Sequence, residues 1–443
     1  MTAPASLLWA VPFLGLLLTI ACAPLVAPAL WHRHYAKLTL FWSLAFLVPE
    51  AALNSPGAAG VALLDMAVSQ YLPFALLLGS LYIIAGGLRV TGTPHGAPAV
   101  NTAMLAIGTA LASVIGTPGA AMLMVRPLIR ANRHRQPSAH VFVFLILLVA
   151  NVGGALTPIG NPPLFLGFLA GVPFFWPLAH LWAPTLFVAA GLLFSFYTLD
   201  RYIFHRRGRV DPALLPEMEK LGIEGGVNIA LLALVILAVL LRAFWHPALA
   251  LPLGAVRWNV VEIAADALLA AAGLLSLALT APQTRQRNDF AWQPMIEVAV
   301  LFAGIFITLI PVTAMIAAGT AGPAAPLFVR LMPAGVPDDR LFYWATGLLS
   351  AVLDNAPSYL VFLHFAGGSG AAVAAALPET LAAISAAAAF FGAFTYLGNA
   401  PNLLIKSIAE SHGIVMPRFF PYIGWAILCL LPWLLLAQLL FFP

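Results

Sequence analysis

Apolar segments separated by short polar ones run along the whole chain. Most are about 20 residues long, which is the length of a transmembrane helix, whereas a barrel strand would show ~10 residues of alternating character. The segments cover 7–29, 37–54, 71–91, 101–128, 139–171, 181–203, 226–246, 259–281, 295–318, 341–366, 379–411 and 419–442. The pattern predicts an all-α polytopic membrane protein.

Four of these segments carry polar interruptions. Segments 139–171 and 379–411 are too long for one straight crossing, and each is broken in its middle, by "TPIGNPP" and "TYLGNAPN". Segments 101–128 and 341–366 each have a proline-containing polar tip, "SVIGTPGAAML" and "AVLDNAPSYLV". Glycine permits positive φ, and proline lacks an N–H that would need a partner. We therefore predict two broken helices and two re-entrant hairpins.

The interruptions form a repeat. "GALTPIGNPP" and "GAFTYLGNAP" are separated by 238 positions, and the two hairpin tips share this offset. We predict a first repeat at 1–203, a second at 226–443, and a cytoplasmic linker at 204–225. If each hairpin returns to the side it entered and the N-terminus is external, 16 of the 20 Lys and Arg residues are cytoplasmic. This positive-inside bias predicts inverted repeats in an integral protein, which we expect in the bacterial inner (plasma) membrane.

Composition supports this class, with 62% hydrophobic and 8% charged residues. A soluble domain has about 25% charged residues. We interpret the net charge of +4 as loop charge rather than as a nucleic-acid surface. The sequence lacks a phosphate-binding loop, a haem or zinc pattern, and a Ser–His or paired-Asp set. We therefore predict neither an enzyme nor a bound cofactor, and only Na⁺ or H⁺ as a transported coupling ion.

Inverted repeats with broken helices are typical of secondary transporters. Unwound backbone at membrane depth survives only where it lines a cavity or is buried in protein. Asn and Thr add neutral oxygens there. The two breaks are thus predicted to be two halves of one binding site.

These motifs, together with "VLDNAPSYL", resemble the ion transporter superfamily, and more closely its citrate transport and sodium:proton antiporter-like members. The likeness covers nearly the whole chain. It implies a scaffold and a transport domain in each protomer, a homodimer, and cation sites where each hairpin tip meets a broken helix.

The resemblance also implies which residues bind. The first site comprises Ser113, Gly116, Thr117, Asn151, Thr157, Gly160 and Asn161. The second comprises Asp354, Asn355, Ser358, Thr395, Gly398, Asn399 and Asn402, with Na⁺ at Asp354, Asn355 and Asn399. The first tip reads Ile-Gly-Thr-Pro, where many relatives have a Ser-Asn-Thr-like sequence.

Asp354 is the sharpest candidate because its counterpart at the offset is Gly116. Its carboxylate could bind Na⁺ or carry a proton, or it could cap the hairpin. Four further charged residues are candidates for a proton or charge relay: Asp266, Glu297, Lys406 and Glu410. For the acids, a packing or interfacial role competes with this one. Lys406 and Glu410 could simply pair at i, i+4.

Two transport hypotheses follow. One is Na⁺/H⁺ antiport on a shared carboxylate, and the other is Na⁺- or H⁺-coupled uptake of citrate or a dicarboxylate. The absence of arginine from the motifs favours antiport. An ion channel or a membrane-embedded enzyme is the less favoured alternative.

Overall fold

The computed structural model describes residues 6–53, 55–92, 95–135, 138–207, 222–247 and 249–443. These ranges are almost entirely helical, with two small antiparallel sheets. Within them, nine helices are long and apolar enough to cross a membrane, or up to eleven if each bent helix pair is one span. The prediction of an all-α polytopic membrane protein is confirmed.

The first half begins with a short 3₁₀ turn, Leu7–Ala10, and contains nine α-helices and one strand. They are α1 Val11–Val26, α2 Pro28–Leu53, α3 Pro56–Met66, α4 Leu72–Gly86, β1 Arg89–Thr91, α5 Pro98–Ile115, α6 Thr117–Ala131, α7 Ala139–Leu148, α8 Pro162–Leu169 and α9 Trp176–Arg207. A π-helical turn, Ala67–Tyr71, joins α3 to α4, and a 3₁₀ turn, Val152–Leu156, lies between α7 and α8.

The second half contains twelve α-helices and three strands. They are β2 Gly222–Glu224, α10 Val227–Phe244, β3 Ala250–Leu253, β4 Val256–Asn259, α11 Val260–Leu279, α12 Pro282–Arg287, α13 Gln293–Ala317, α14 Ala325–Leu331, α15 Asp339–Leu353, α16 Asn355–Phe365, α17 Gly370–Ala376, α18 Pro378–Phe391, α19 Ala400–Ser411, α20 Phe419–Cys429 and α21 Leu431–Phe441. Two 3₁₀ turns, Gly319–Ala321 and Pro333–Gly335, flank α14. Strand β1 pairs with β2, and β3 pairs with β4.

The predicted hairpins and broken helices are present. Helices α5 and α6 meet at Gly116 and pack against each other, as α15 and α16 do at Asp354. The first broken helix consists of α7 and α8, and the second of α18 and α19. Segment 419–442, which we predicted as an ordinary span, is bent by 44° between α20 and α21.

Packing contacts are reciprocal between the two halves. The second hairpin limb α6 packs on α19, and its counterpart α16 packs on α8. In the same way α4 packs on α6, and α13 packs on α16. Each hairpin of one half thus meets the broken helix of the other half, as a pseudo-two-fold relation requires.

The division into 1–203, 204–225 and 226–443 stays a prediction, and linker residues 208–221 lie outside the described residues. The described ends of the linker are structured. Helix α9 continues through Arg207, and β2 pairs back with β1 of the first half.

The core lies around the first limbs of the broken helices. Every residue of α7 from His140 to Leu148 is buried, and so is α18 from Thr380 to Phe391. A helix that is apolar all round is expected in a core. The peripheral helices α1 and α2 instead expose large apolar side chains such as Leu18, Leu40 and Phe41. This arrangement buries both breaks in protein and leaves the outer helices to face lipid.

Candidate functional site

The hairpin tips are tied to the breaks by threonine side chains. Thr157 Oγ1 donates a hydrogen bond to the Ser113 carbonyl of the first hairpin. At the equivalent place in the second half, Thr395 Oγ1 donates to the Ala351 carbonyl over 2.6 Å. Each threonine therefore holds a break against the hairpin of its own half.

Two glycines permit the close approach of backbone at the breaks. A Cβ on Gly160 would lie 2.3 Å from the Gly154 carbonyl oxygen. A Cβ on Gly398 would lie 2.6 Å from the Gly392 carbonyl oxygen. Because these neighbours are backbone atoms, neither position has room for a side chain.

Asparagine side chains join the two halves at the centre. Asn355 Nδ2, at the second hairpin tip, donates to Asn161 Oδ1 at the first break over 3.0 Å. Asn399 Nδ2, at the second break, donates to the Ala150 carbonyl over 2.8 Å and to Asn151 Oδ1 over 3.2 Å. The two tips and the two breaks thus form one continuous polar centre inside an apolar protein.

The structure places Asn151 differently from the sequence prediction, which assigned it to the first site. Asn151 Nδ2 donates to Asn402 Oδ1 over 2.8 Å, so this side chain is hydrogen-bonded to the second broken helix. Asn402 Nδ2 in turn donates to the carbonyls of Gly392 and Thr395. Asn151 therefore belongs spatially with the second set of residues.

Asp354 sits at the turn of the second hairpin in a conformation that side chains rarely adopt. Its φ and ψ are 78° and 144°, and those of Gly116 at the first tip are 77° and 150°. One carboxylate oxygen accepts a hydrogen bond from the Ala356 amide over 3.1 Å and so caps α16. The backbone carbonyl of Asp354 accepts from Ser358 Oγ over 2.7 Å. Asp354 is thus both a helix cap, as one reading of the sequence expected, and a strained residue at the centre.

Three polar atoms at this centre are buried without a hydrogen-bond partner: Thr117 Oγ1, Asn161 Nδ2 and Asn355 Oδ1. Buried polar groups are normally satisfied, so such a cluster calls for an explanation. They come from the first tip, the first break and the second tip. Together they offer donors and an acceptor to a small polar ligand.

A cavity reaches this centre from one side. It measures about 60 Å³, which is room for a few water molecules. Its lining residues are Leu78, Tyr82, Pro118, Pro162, Pro294, Met295, Val298, Phe302, Asp354, Asn399, Ala400, Pro401 and Leu404. Asp354 is the one charged side chain among the described residues of this lining. The cavity ends near the first turn of α13, at the end of the molecule that carries Arg89, Arg126, Arg285 and Arg287, which we call the basic end.

Helix termini add partial charges of both signs. Helices α6, α8, α16 and α19 begin at the tips or breaks, and α5, α7, α15 and α18 end there. Helix N-termini favour negative charge, and the carbonyls of C-termini favour cations. Asp354 occupies the N-terminus of α16, so it already uses one of the positive ends.

Across the described residues, no three His, Cys, Asp or Glu side chains group as for a transition metal. The chemistry of the site is therefore that of one carboxylate, neutral oxygens and amides.

The described lining of the cavity includes none of the four relay candidates. Asp266 is buried on α11, 3.5 Å from an Arg242 guanidinium nitrogen. Glu297 accepts a hydrogen bond from Trp31 Nε1 over 2.7 Å. Lys406 pairs with Glu410 over 2.8 Å, as the simpler reading of that spacing expected. Their role in transport stays a prediction.

Sequence reasoning missed a buried ionic cluster at the base of the first hairpin. Asp200 on α9 is fully buried and pairs with Arg135 and with His140 Nε2, the latter over 2.8 Å. Asn101 Nδ2 also donates to Asp200, over 3.1 Å. No short motif carries this signal, because the partners are 60 to 99 positions from Asp200.

The sequence of this chain matches the model of a known family over nearly its whole length. The model of the family described as "putative citrate transport" matches residues 2–442. The chain belongs to this citrate transport family. No curated protein matches the chain. Membership in the citrate transport family, together with the many apolar helices, makes the protein a membrane transporter, and it argues for transport rather than for an enzymatic reaction. The description of the citrate transport family leaves open whether this chain moves a carboxylate or only cations.

Proposed function

We propose that the protein is a secondary active transporter that exchanges Na⁺ for H⁺ at Asp354. One observation carries the proposal. Asp354 is the charged side chain of the cavity lining, and it stands where the second hairpin tip meets Asn399 of the second break. A carboxylate at this depth is expensive, which makes it a candidate for function.

A single carboxylate suits exchange because Na⁺ and H⁺ compete for it. Either cation neutralises the buried charge, and an empty, charged site is the costly state inside a membrane. The side-chain oxygens of Asn355 and Asn399 would complete the shell of Na⁺, with Asp354 as the charged ligand. Asn355 Oδ1 supports this assignment because it is buried without a partner.

The cavity walls support movement of one part against the other. On the side of α4 and α13 the wall is apolar and includes Leu78, Val298 and Phe302. These three side chains have no hydrogen bonds to break when the hairpins and broken helices shift. The proposed mechanism is alternating access, in which occupancy of Asp354 changes the energy of that shift.

Orientation and assembly belong to the same proposal. The basic end is assigned to the cytoplasm on the positive-inside rule, which puts the N-terminus outside. We further propose that the protein is a homodimer in the bacterial inner membrane.

A second candidate is cation-coupled uptake of citrate or a dicarboxylate. The family description favours it. So do the converging helix N-termini of α6, α8 and α19, which attract carboxylates, and the buried unpartnered donor Asn161 Nδ2.

Purified protein in liposomes with an internal pH-sensitive dye tests these candidates. A Na⁺ gradient is imposed with and without citrate, for the wild type, Asp354→Asn and the control Asp65→Asn, whose carboxylate lies on α3 away from the cavity. We expect a Na⁺-driven pH change without citrate that is lost in Asp354→Asn and kept in the control. A response that requires citrate selects the second candidate, and exchange that survives in Asp354→Asn refutes the role of Asp354.

A further inference from the structure

A buried arginine lies between the cavity and the basic end. Arg126 is on α6, nine residues after its first residue, so it lies about 14 Å along the helix from the hairpin tip. Its side chain is only 7% exposed. Arginine is almost never buried unless it is paired. Arg126 therefore needs an anionic or carbonyl partner where it stands.

The partners that Arg126 has are weak. Its Nη2 lies 3.5 Å from Asp289 Oδ2, and its Nη1 lies 3.5 Å from the Met122 carbonyl. Its Nε is buried without a partner. A charge-assisted pair normally measures about 2.7–2.9 Å. The guanidinium of Arg126 is therefore under-satisfied.

Arg135 provides the contrast. It is equally buried, but its guanidinium contacts both oxygens of Asp200, and its Nη1 also donates to the Gly96 carbonyl over 2.8 Å. This is how the same chain satisfies an arginine that has a structural role. Arg126 lacks such a set.

Asp289 is a poor permanent partner for Arg126. Its side chain is 63% exposed, so water competes for its carboxylate. It is also a non-glycine residue with a φ of 44°, in the turn that leads into α13. An exposed carboxylate at 3.5 Å is readily displaced by a better-placed anion.

The surroundings are strongly basic. Five arginines lie around this turn and the neighbouring strands, against two acids among the described residues, which leaves a net charge of +3 (five minus two). They are Arg89, Arg126, Arg130, Arg285 and Arg287, with Glu224 and Asp289. The positive-inside rule accounts for exposed arginines here, but it does not require a buried one. The field draws anions to this end.

The basic end connects to the cavity through Tyr82. Tyr82 lines the cavity, and its hydroxyl donates to the Ala291 carbonyl in the turn that carries Asp289. Arg126 contacts Asp289, two residues before Ala291 in the same turn. Arg126 therefore borders the route between the basic end and Asp354.

We propose that Arg126 binds a carboxylate group of an organic anion at the mouth of the cavity, and that Asp289 is the internal group which this anion displaces. The inference rests on the second candidate function, cation-coupled carboxylate transport. A bidentate carboxylate would satisfy the Arg126 donors at charge-assisted distances. Its arrival breaks the ion pair that joins α6 to the turn before α13, so binding loosens a contact that the hairpin must lose in order to move.

Citrate binding to the full-length detergent-solubilised protein tests the proposal by titration calorimetry, with chloride as the anion control. The variants are Arg126→Gln, Asp289→Asn and Arg287→Gln, the last removing one exposed charge from the same basic end. We expect Arg126→Gln to weaken citrate binding by about tenfold or more and Asp289→Asn to strengthen it several-fold. Arg287→Gln should change it less than about threefold.

Three outcomes overturn the proposal: a wild type that does not bind millimolar citrate, an Arg126→Gln variant that binds like the wild type, and an Asp289→Asn variant that binds no more tightly. Asp289→Asn keeps the test decisive if Arg126→Gln does not fold, because Asp289 is exposed. The Na⁺-driven pH change without citrate reports on Asp354 separately. Its presence together with absent citrate binding would refute the role of Arg126 and leave the cation site standing.

Discussion

Replacing Asp354 by glycine and by alanine tests the strain at the second hairpin tip. With φ 78° and ψ 144°, Asp354 lies near a region that glycine alone adopts freely. A non-glycine residue there costs about 1–3 kcal/mol. Gly116 shows that the first hairpin reaches the same geometry with a glycine. We infer that the backbone strain of an aspartate at this tip, which a glycine would relieve, makes the fold less stable.

The expected magnitudes follow from this geometry. Asp354→Gly removes the backbone strain, which stabilises the folded state. It also loses the cap on the Ala356 amide, which costs about 1 kcal/mol. The greater freedom of glycine in the unfolded chain costs about 0.5–1 kcal/mol more. Asp354→Ala loses the same cap and keeps the strain. The glycine variant should therefore be more stable than the alanine variant by about 1 kcal/mol. In an ordinary helix, alanine is favoured over glycine by about the same amount.

The assay is reversible unfolding in mixed micelles with increasing sodium dodecyl sulfate, followed by far-ultraviolet circular dichroism. Gly424→Ala in α20 is the matched control, since a Cβ there meets no atom within 4 Å. This change should stabilise the protein by about 0.5–1 kcal/mol. If Asp354→Ala is as stable as Asp354→Gly while the control behaves as expected, the strain argument is wrong. Both Asp354 variants should lose the proposed Na⁺-driven pH change.

Three further substitutions test the site and its surroundings in the same unfolding assay. Thr395→Val should lower the free energy of unfolding by about 1–3 kcal/mol, because it leaves the Ala351 carbonyl without its hydroxyl donor. Thr395→Ser keeps a hydroxyl, so an equally small loss in both variants would contradict this expectation. Asp200→Asn should lower the free energy of unfolding by about 3–5 kcal/mol, the largest loss of the three, because it leaves buried Arg135 without its counter-charge. An unchanged free energy of unfolding would show that the ionic cluster is dispensable. Lys406→Gln should cost less than about 0.5 kcal/mol, because its pair with Glu410 is a partly exposed i, i+4 contact. If the liposome assay shows that Lys406→Gln abolishes transport, Lys406 acts on the substrate rather than as a surface partner.

The main membrane elements could be predicted from sequence because their signals are local. Segment 379–411 became Pro378–Phe391 and Ala400–Ser411, with the break at the Gly, Thr and Asn positions that predicted it. Glycine and proline stop helices for reasons contained in a few residues. Helix α3 was missed because "PGAAGVALLD" combines two glycines with only a short apolar run, yet it continues through a π-helical turn into α4.

The contents of the site were only partly predictable. Both Thr-to-hairpin bonds join residues predicted for the same half, as the repeat implied. The contact of Asn151 with the second break was not predicted, because its partner Asn402 is 251 positions away. Arg126 was not recognised near the cavity, since its relation to Asp289 spans 163 positions. Short sequence patterns carry no information about contacts between residues so far apart along the chain.

Sequence alone determined the class of molecule, the two hairpins, the two breaks and their repeat, since apolar length and helix-breaking residues act over short distances. Tertiary structure decided which polar groups meet. Packing of α16 against α8 brings the Asn355 amide to Asn161, and packing of α6 beside α4 puts a buried arginine near the cavity that holds Asp354. The physical reason is that a polar group in an apolar core must find a partner wherever the packed helices bring one.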